Sequence, residues 1–162
     1  MTPYNVLFLC TGNSSRSIMA EAILKGKGRP NLAAYSAGSH PVGEVNAYAL
    51  RQIAAAGLPA QGLRSKSWDE FSLPGAPHMD FIFTLCDSAA REQCPVWPGH
   101  PASAHWGLTD PGSEGNTPEE LDRAFHKAFL TIDRRISLFL ALPFETIERL
   151  ALAEELRRIG RA

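Results

Sequence analysis

Cys10 and Arg16 stand at the two ends of a short polar stretch, Cys10-Thr11-Gly12-Asn13-Ser14-Ser15-Arg16, with Ser17 next in line. The intervening residues give the chain room to curl until successive N–H groups and the guanidinium converge on one tetrahedral oxyanion, with a thiol placed to attack its central atom. Gly12 and Asn13 suit the tight or left-handed backbone that such a curl needs, and Ser17 can donate a hydrogen bond to the sulfur. The apolar run Val6-Leu7-Phe8-Leu9 reads as a buried strand ahead of the loop, and residues 18–24 read as a helix that begins near Ser17. The helix N-terminus then points at Cys10, and its dipole together with Arg16 predicts a thiolate at neutral pH. A plainer reading of the same residues is a core cysteine at a strand end, beside a helix cap from Ser14 or Ser15. A nucleotide-binding P-loop is excluded, since no Gly-Lys-Ser/Thr follows.

Two more cysteines and a carboxylate extend the chemistry. Cys86 closes an apolar run over residues 79–85, and Cys94 follows about two helical turns later. In a regular helix across 87–93 the two sulfurs would stand too far apart for a disulfide, so pairing requires that segment to unwind. Its small and polar residues, with Pro95 behind them, keep the cost of unwinding low. Asp110, before Pro111, can supply a proton if its carboxyl sits over the anion site, because negative charge on a bound substrate raises its pKa. The same dipeptide is also an ordinary turn former. Spacings among Cys86, Cys94, His100 and His105 match neither a CxxC knuckle nor an HExxH helix, so no metal is expected.

The elements that must position these groups follow from periodicity and punctuation. A strand near residues 6–9, a helix near 17–25 and a returning strand over 32–36 make a βαβ unit. The Ala-rich stretch 45–56, closed by Gly57 and Pro59, is a second helix. Residues 79–85 suit a strand buried on both faces, 95–101 a loop, and 104–108 a short strand. Thr117-Pro118-Glu119-Glu120 carries a capping box with Pro at the first helical position, opening a helix expected to reach Leu142. This alternation predicts an α/β fold: a single-domain open parallel four-stranded sheet with helices on both faces, binding ligands at the carboxyl ends of its strands. Cys10, Cys86 and Asp110 all fall at such ends. The domain is expected over 1–142, with an amphipathic extension over 143–162, an extra C-terminal helix that packs on the domain or joins two copies as a dimer rather than leaving a monomer.

At 162 residues the chain has room for one domain and one active site. Its 16 Lys plus Arg against 17 Asp plus Glu leave no basic footprint for nucleic acid or an anionic membrane surface, so a small-molecule substrate is expected. Met1-Thr2-Pro3-Tyr4 carries no basic n-region, the first apolar run is too short for a signal peptide, and no segment is long enough to span a bilayer. A cytoplasmic location is expected, where thiols stay reduced, so the three cysteines point to catalysis or redox chemistry rather than structural disulfides.

The stretch Val6-Leu7-Phe8-Leu9-Cys10-Thr11-Gly12-Asn13-Ser14-Ser15-Arg16-Ser17, with Met19-Ala20-Glu21, resembles the low-molecular-weight protein tyrosine phosphatases and their thioredoxin-coupled arsenate reductase branch. Tyr35-Ser36-Ala37-Gly38, Thr84-Leu85-Cys86 and His105-Trp106-Gly107 ahead of Asp110-Pro111 carry the resemblance to about residue 140, and the last of these favour the arsenate reductases. The resemblance implies that the loop from Thr11 to Arg16 holds the oxyanion, with Ser17 beside the sulfur. Cys10 would attack arsenic, Asp110 would protonate the departing oxygen, and Cys86 would attack Cys10 so that arsenite leaves. Cys94 would then draw Cys86 into an exposed disulfide for thioredoxin to reduce. The Cys86-to-Cys94 spacing is one residue longer than in those relatives; without Cys94, glutathione and glutaredoxin would resolve the disulfide. No tightly bound cofactor is implied.

Gly112 stands where tyrosine phosphatases of the family carry an aromatic clamp, which turns the reading away from phosphotyrosine. The anion loop does not itself distinguish phosphate from arsenate, so slow phosphatase activity is expected. Some members hold a potassium ion with residues matching Asn13, Glu21 and Ser36 and an acidic residue. Lys66 falls at that last place here, and its ammonium would replace the ion. Three activities therefore stand open: arsenate reduction, aryl-phosphate hydrolysis, and a non-catalytic thiol sensor whose Cys10–Cys86 disulfide alters a partner contact.

Overall fold

The first apolar run forms β1, Tyr4–Leu9, in which Val6 through Leu9 have no exposed surface because the strand lies inside the sheet. The computed structural model describes residues 4–86, 101–143 and 149–162. Parallel partners flank β1 on both edges: β2, Leu32–Ala37, and β3, Phe81–Thr84. The fourth strand, β4, Ala102–His105, pairs in parallel with β3, giving the order β2-β1-β3-β4. With every strand parallel, all the carboxyl ends emerge on one side, and the chain between β1 and β2 is the helix α1, Arg16–Gly26.

Val6, Phe8 and Phe83 face a core completed by α1, by α2, Ala47–Ala55, by α3, Pro118–Leu140, and by α4, Arg149–Gly160. On the other side, Leu7, Leu9 and Ile82 are covered by Trp68 and Phe71 of a 3-10 helix, Trp68–Phe71, so helical segments flank both faces of the sheet. The expected C-terminal helix packs on the domain: Leu152, Leu156 and Ile159 of α4 join the main core. Trp106, fully buried after β4, stacks on Phe83 with ring centroids 3.8 Å apart and donates its indole N–H to the Leu156 carbonyl at 2.9 Å.

Most expected elements are present with adjusted ends. α2 is capped by Asn46, whose side chain accepts from the Tyr48 and Ala49 N–H groups, and Gly57 closes it at a φ of +73°. The Thr117 capping box forms in full with Glu120, but α3 ends at Leu140 rather than Leu142, because Leu142 precedes Pro143 and is disfavoured in helical geometry. β4 starts and ends earlier than expected: pairing with Phe81–Thr84 sets its span, and Trp106 then turns into the core. Cys94, His100 and the segment whose unwinding was expected lie outside the described residues, as does the loop over 95–101 save Pro101. Among the described residues no helix is long and apolar enough to cross a membrane.

Candidate active site

The loop after β1 is held from behind by its own carbonyls. Thr11 O accepts from His40 N–H at 2.9 Å, and Gly12 O accepts from Val42 N–H at 3.0 Å and from the Ser65 hydroxyl at 3.1 Å. Asn13 turns the chain at a φ of +44°, a left-handed conformation that asparagine tolerates better than most residues. It is fully buried; its Oδ1 accepts from Lys66 N–H at 2.9 Å and its Nδ2 donates to Ser17 Oγ at 2.8 Å. With the carbonyls turned inward, the N–H groups of Gly12, Asn13, Ser14, Ser15 and Arg16 donate to no protein acceptor among the described residues. Ser15, at the N-cap of α1, makes no side-chain capping bond, so these donors are not spent on a helix cap. Converging free N–H groups at a helix N-terminus form an anion site.

Arg16 completes it. Its Nη1 donates to Leu108 O at 2.8 Å, which aims the side chain along the loop that follows β4, while its Nε is buried with no partner among the described residues. A buried guanidinium N–H without an acceptor is costly unless an anion supplies one.

Cys10 and Cys86, at the ends of β1 and β3, are both buried and pack on each other, with no disulfide between them. Thr11 donates its N–H to Cys86 Sγ at 3.2 Å, and its hydroxyl lies 3.3 Å from the same sulfur. The expected thiolate is not what this packing favours. The hydrogen bond with Cys86 and burial both push the Cys10 thiol up, against the opposing pull of Arg16 and of the Thr11 N–H. Ser17 Oγ accepts from Asn13 Nδ2, a bond that leaves the hydroxyl proton available to donate.

Asp110 is exposed and accepts from Gly112 N–H at 3.0 Å, capping the 3-10 turn Pro111–Ser113. It therefore serves as the turn former and also faces the site: a cavity of about 810 Å³ is lined by Thr11, Arg16, Cys86 and Asp110, together with Gly160 and Arg161. Behind the loop, Lys66, 7% exposed, lies 3.7 Å from Glu21 Oε1 and donates to Arg64 O at 2.9 Å. Glu21 also accepts from Ser36 Oγ and from Lys25 Nζ, each at 2.6 Å. Burial pulls the Lys66 ammonium below the ordinary lysine range, with Glu21 resisting. The four residues expected around a cation site, Asn13, Glu21, Ser36 and Lys66, are thus neighbours, and an ammonium stands among them.

The family model for low molecular weight phosphotyrosine protein phosphatases matches residues 5–153. The chain belongs to this family. Among its relatives, an arsenate reductase of Bacillus licheniformis is 36% identical over 139 residues, covering 86% of this chain and 96% of that one. A low molecular weight protein tyrosine phosphatase of T. tengcongensis superposes with a TM-score of 0.61 at 26% identity, over 83% of this chain and 98% of that one. A thioredoxin-dependent arsenate reductase of Corynebacterium glutamicum shares the fold, with a TM-score of 0.59 at 23% identity, over 81% of this chain and 59% of that one.

Within this low molecular weight phosphatase framework, the structure adds site residues that motif reading passed over. Gly38 sits so close behind the loop that a Cβ there would stand 2.5 Å from Thr11 O and 2.7 Å from Cys10 O. Its place in Tyr35-Ser36-Ala37-Gly38 was visible in the sequence; the reason for glycine was not. Ser65 braces Gly12, and the Leu108 carbonyl orients Arg16. Arg161 follows the last residue of α4, beyond every motif, and no spacing in the sequence links it to Cys10.

Proposed function

We propose that the protein reduces arsenate to arsenite with its own thiols. One observation carries the reading: Cys86, which lines the cavity together with Thr11 and Arg16, packs on Cys10 at the start of the anion loop. Phosphoryl transfer needs one thiol in that place; reduction needs two. The loop N–H groups and Arg16 take the oxygens of arsenate, and the Cys10 sulfur bonds to arsenic. The thiol proton and the departing hydroxyl leave as water, with Asp110 delivering the proton on the oxygen side. Cys86 then attacks Cys10. The electron pair of the arsenic–sulfur bond passes to arsenic, which leaves as arsenite in the trivalent state, and a Cys10–Cys86 disulfide remains.

A thiol reductant in trans closes the cycle. In our reading this is thioredoxin, acting on a Cys86–Cys94 disulfide, with glutaredoxin and glutathione as the substitute if Cys94 takes no part. The reaction belongs in the cytoplasm, where such reductants keep thiols reduced. The same anion loop and Asp110 support slow hydrolysis of small aryl phosphates, with no aromatic after Pro111 to hold a phenyl ring.

The deciding measurement is NADPH consumption with arsenate, thioredoxin and thioredoxin reductase, beside a glutaredoxin arm and the Cys10→Ser, Cys86→Ser and Cys94→Ser variants. Turnover lost in all three variants is the expected result. Full thioredoxin-supported turnover by Cys94→Ser removes the last relay step. No turnover with any reductant, together with aryl-phosphate hydrolysis that needs only Cys10 and Asp110, makes the protein a phosphatase. A thiol sensor would turn over neither substrate.

A further inference from the structure

The cavity that Thr11, Arg16 and Asp110 line is also lined by the last residue of α4 and the residue after it, Gly160 and Arg161. This part of the wall is fixed in place. Leu156 and Ile159 are buried, Trp106 N–H bonds the Leu156 carbonyl, and Arg134 donates to Ala162 O at 3.1 Å. Gly160 lets the helix end seat directly on the strand end, since a Cβ there would lie 2.5 Å from His105 O and 2.9 Å from Trp106 Cδ1. The backbone that carries Arg161 is therefore held at the cavity.

The guanidinium itself is held loosely. Its ion pair with Glu154 is 3.9 Å long, both side chains are more than half exposed, and Glu154 is more tightly engaged by Arg157 at 2.7 Å. A pair of that length and exposure contributes little, so Arg161 can leave it for an anion in the cavity at small cost. The location also calls for a cation. The carbonyl end of α4 brings negative potential to the same wall, which opposes an entering anion unless a positive group offsets it.

We propose that Arg161 is a substrate-binding residue, a second guanidinium that takes the outward oxygens of the oxyanion whose inner oxygens are held by the loop and Arg16. A small, multiply charged tetrahedral oxyanion has acceptors on both sides for the two guanidinium groups, whereas a phosphate ester turns its organic group toward the cavity mouth and meets Arg161 with less charge. Arg161 thereby favours inorganic oxyanions over esters. The inference rests on the anion-binding part of the reading above and does not depend on the redox steps.

The test uses the full chain, reduced, with inorganic phosphate as the unreactive probe and titration calorimetry as the readout. Arg161→Gln is expected to bind phosphate roughly tenfold more weakly, the loss of one charge-assisted hydrogen-bonding group. Arg161→Lys should recover part of that loss. Arg157→Gln removes the same charge one turn earlier, from a residue of α4 that does not line this cavity, and should change affinity less than about twofold. Equal weakening by both variants would reduce Arg161 to a contribution to the general field and overturn the proposal. Unchanged affinity in Arg161→Gln alongside lost affinity in Arg16→Lys would also overturn it, while leaving the anion loop intact. Phosphate binding that depends on Arg161 in a protein without arsenate turnover would uphold it against failure of the redox reading. In turnover, KM for arsenate should rise in Arg161→Gln by the same factor with kcat little changed, and KM for p-nitrophenyl phosphate should rise less.

Discussion

At the scale of single residues, the protonation of Cys10 departs most from what its motif predicts. The helix N-terminus and Arg16 were legible in Cys10-x5-Arg16, and both pull toward a thiolate. The neighbour that opposes them, Cys86, lies just past the end of β3 and becomes adjacent only through the β1–β3 pairing. Removing it should bring the Cys10 thiol down, with burial left to oppose Arg16. In a Cys94→Ser background, Cys86→Ala is expected to shift alkylation of Cys10 by iodoacetamide to lower pH, read by mass spectrometry across a pH series. An unchanged or upward shift would mean that Cys86 does not hold the proton in place. Lys66 gives a second case. Its ammonium stands between Glu21 and the Arg64 carbonyl, so exchanging sodium for potassium should alter turnover by less than about twofold. Strong potassium stimulation would remove Lys66 from this role. Burial lowers the Lys66 pKa, so the folded chain releases that proton before the unfolded chain does. Stability should then rise with pH through the window below the ordinary lysine value of about 10.4, and Lys66→Met should lose that rise in urea titrations.

At the scale of elements, strand and helix order was legible because each element carries its own period and caps. β1, α1, α2 and the capped start of α3 fall close to where local pattern puts them. What local pattern does not hold is the end of an element whose partner is distant. β4 begins at Ala102 because Phe81 is there to pair with it, and nothing within Ala102-Ser103-Ala104-His105 announces that register. The anion loop follows the same logic, since its shape depends on residues from 38 to 66 pressing behind it. Gly38→Ala tests this directly. Its Cβ would meet two backbone oxygens rather than a yielding side chain, so the loop must move. Expected are a stability loss of about 1–3 kcal/mol in urea unfolding and weaker phosphate binding. Wild-type affinity in Gly38→Ala would show that the loop keeps its shape without that close contact.

At the scale of the whole molecule, an open parallel sheet follows from the alternation of strands and helices, and its active site from the common direction of the strand ends. The seating of α4 was only half legible: its apolar stripe was plain, while its partner was open between this chain and a second copy. Within one chain Leu152, Leu156 and Ile159 bury against the same core as Phe83, Trp106 and Phe139. Truncation at Pro143 should lower the melting temperature, with each of those buried side chains worth on the order of 1.5–3 kcal/mol. Light scattering should show no change in the number of chains per particle; a halving of mass would identify α4 as a dimerisation helix. The Trp106 indole has a further use that follows from its enclosure. Lying between Phe83 and α4 on one side of the sheet, with Trp68 on the other, it is a built-in fluorophore for helix docking. In a Trp97→Phe background, detachment of α4 would admit water to Trp106 and shift its emission to the red while Trp68 stays as the reference. Loss of the cavity wall could then be timed optically, without a substrate.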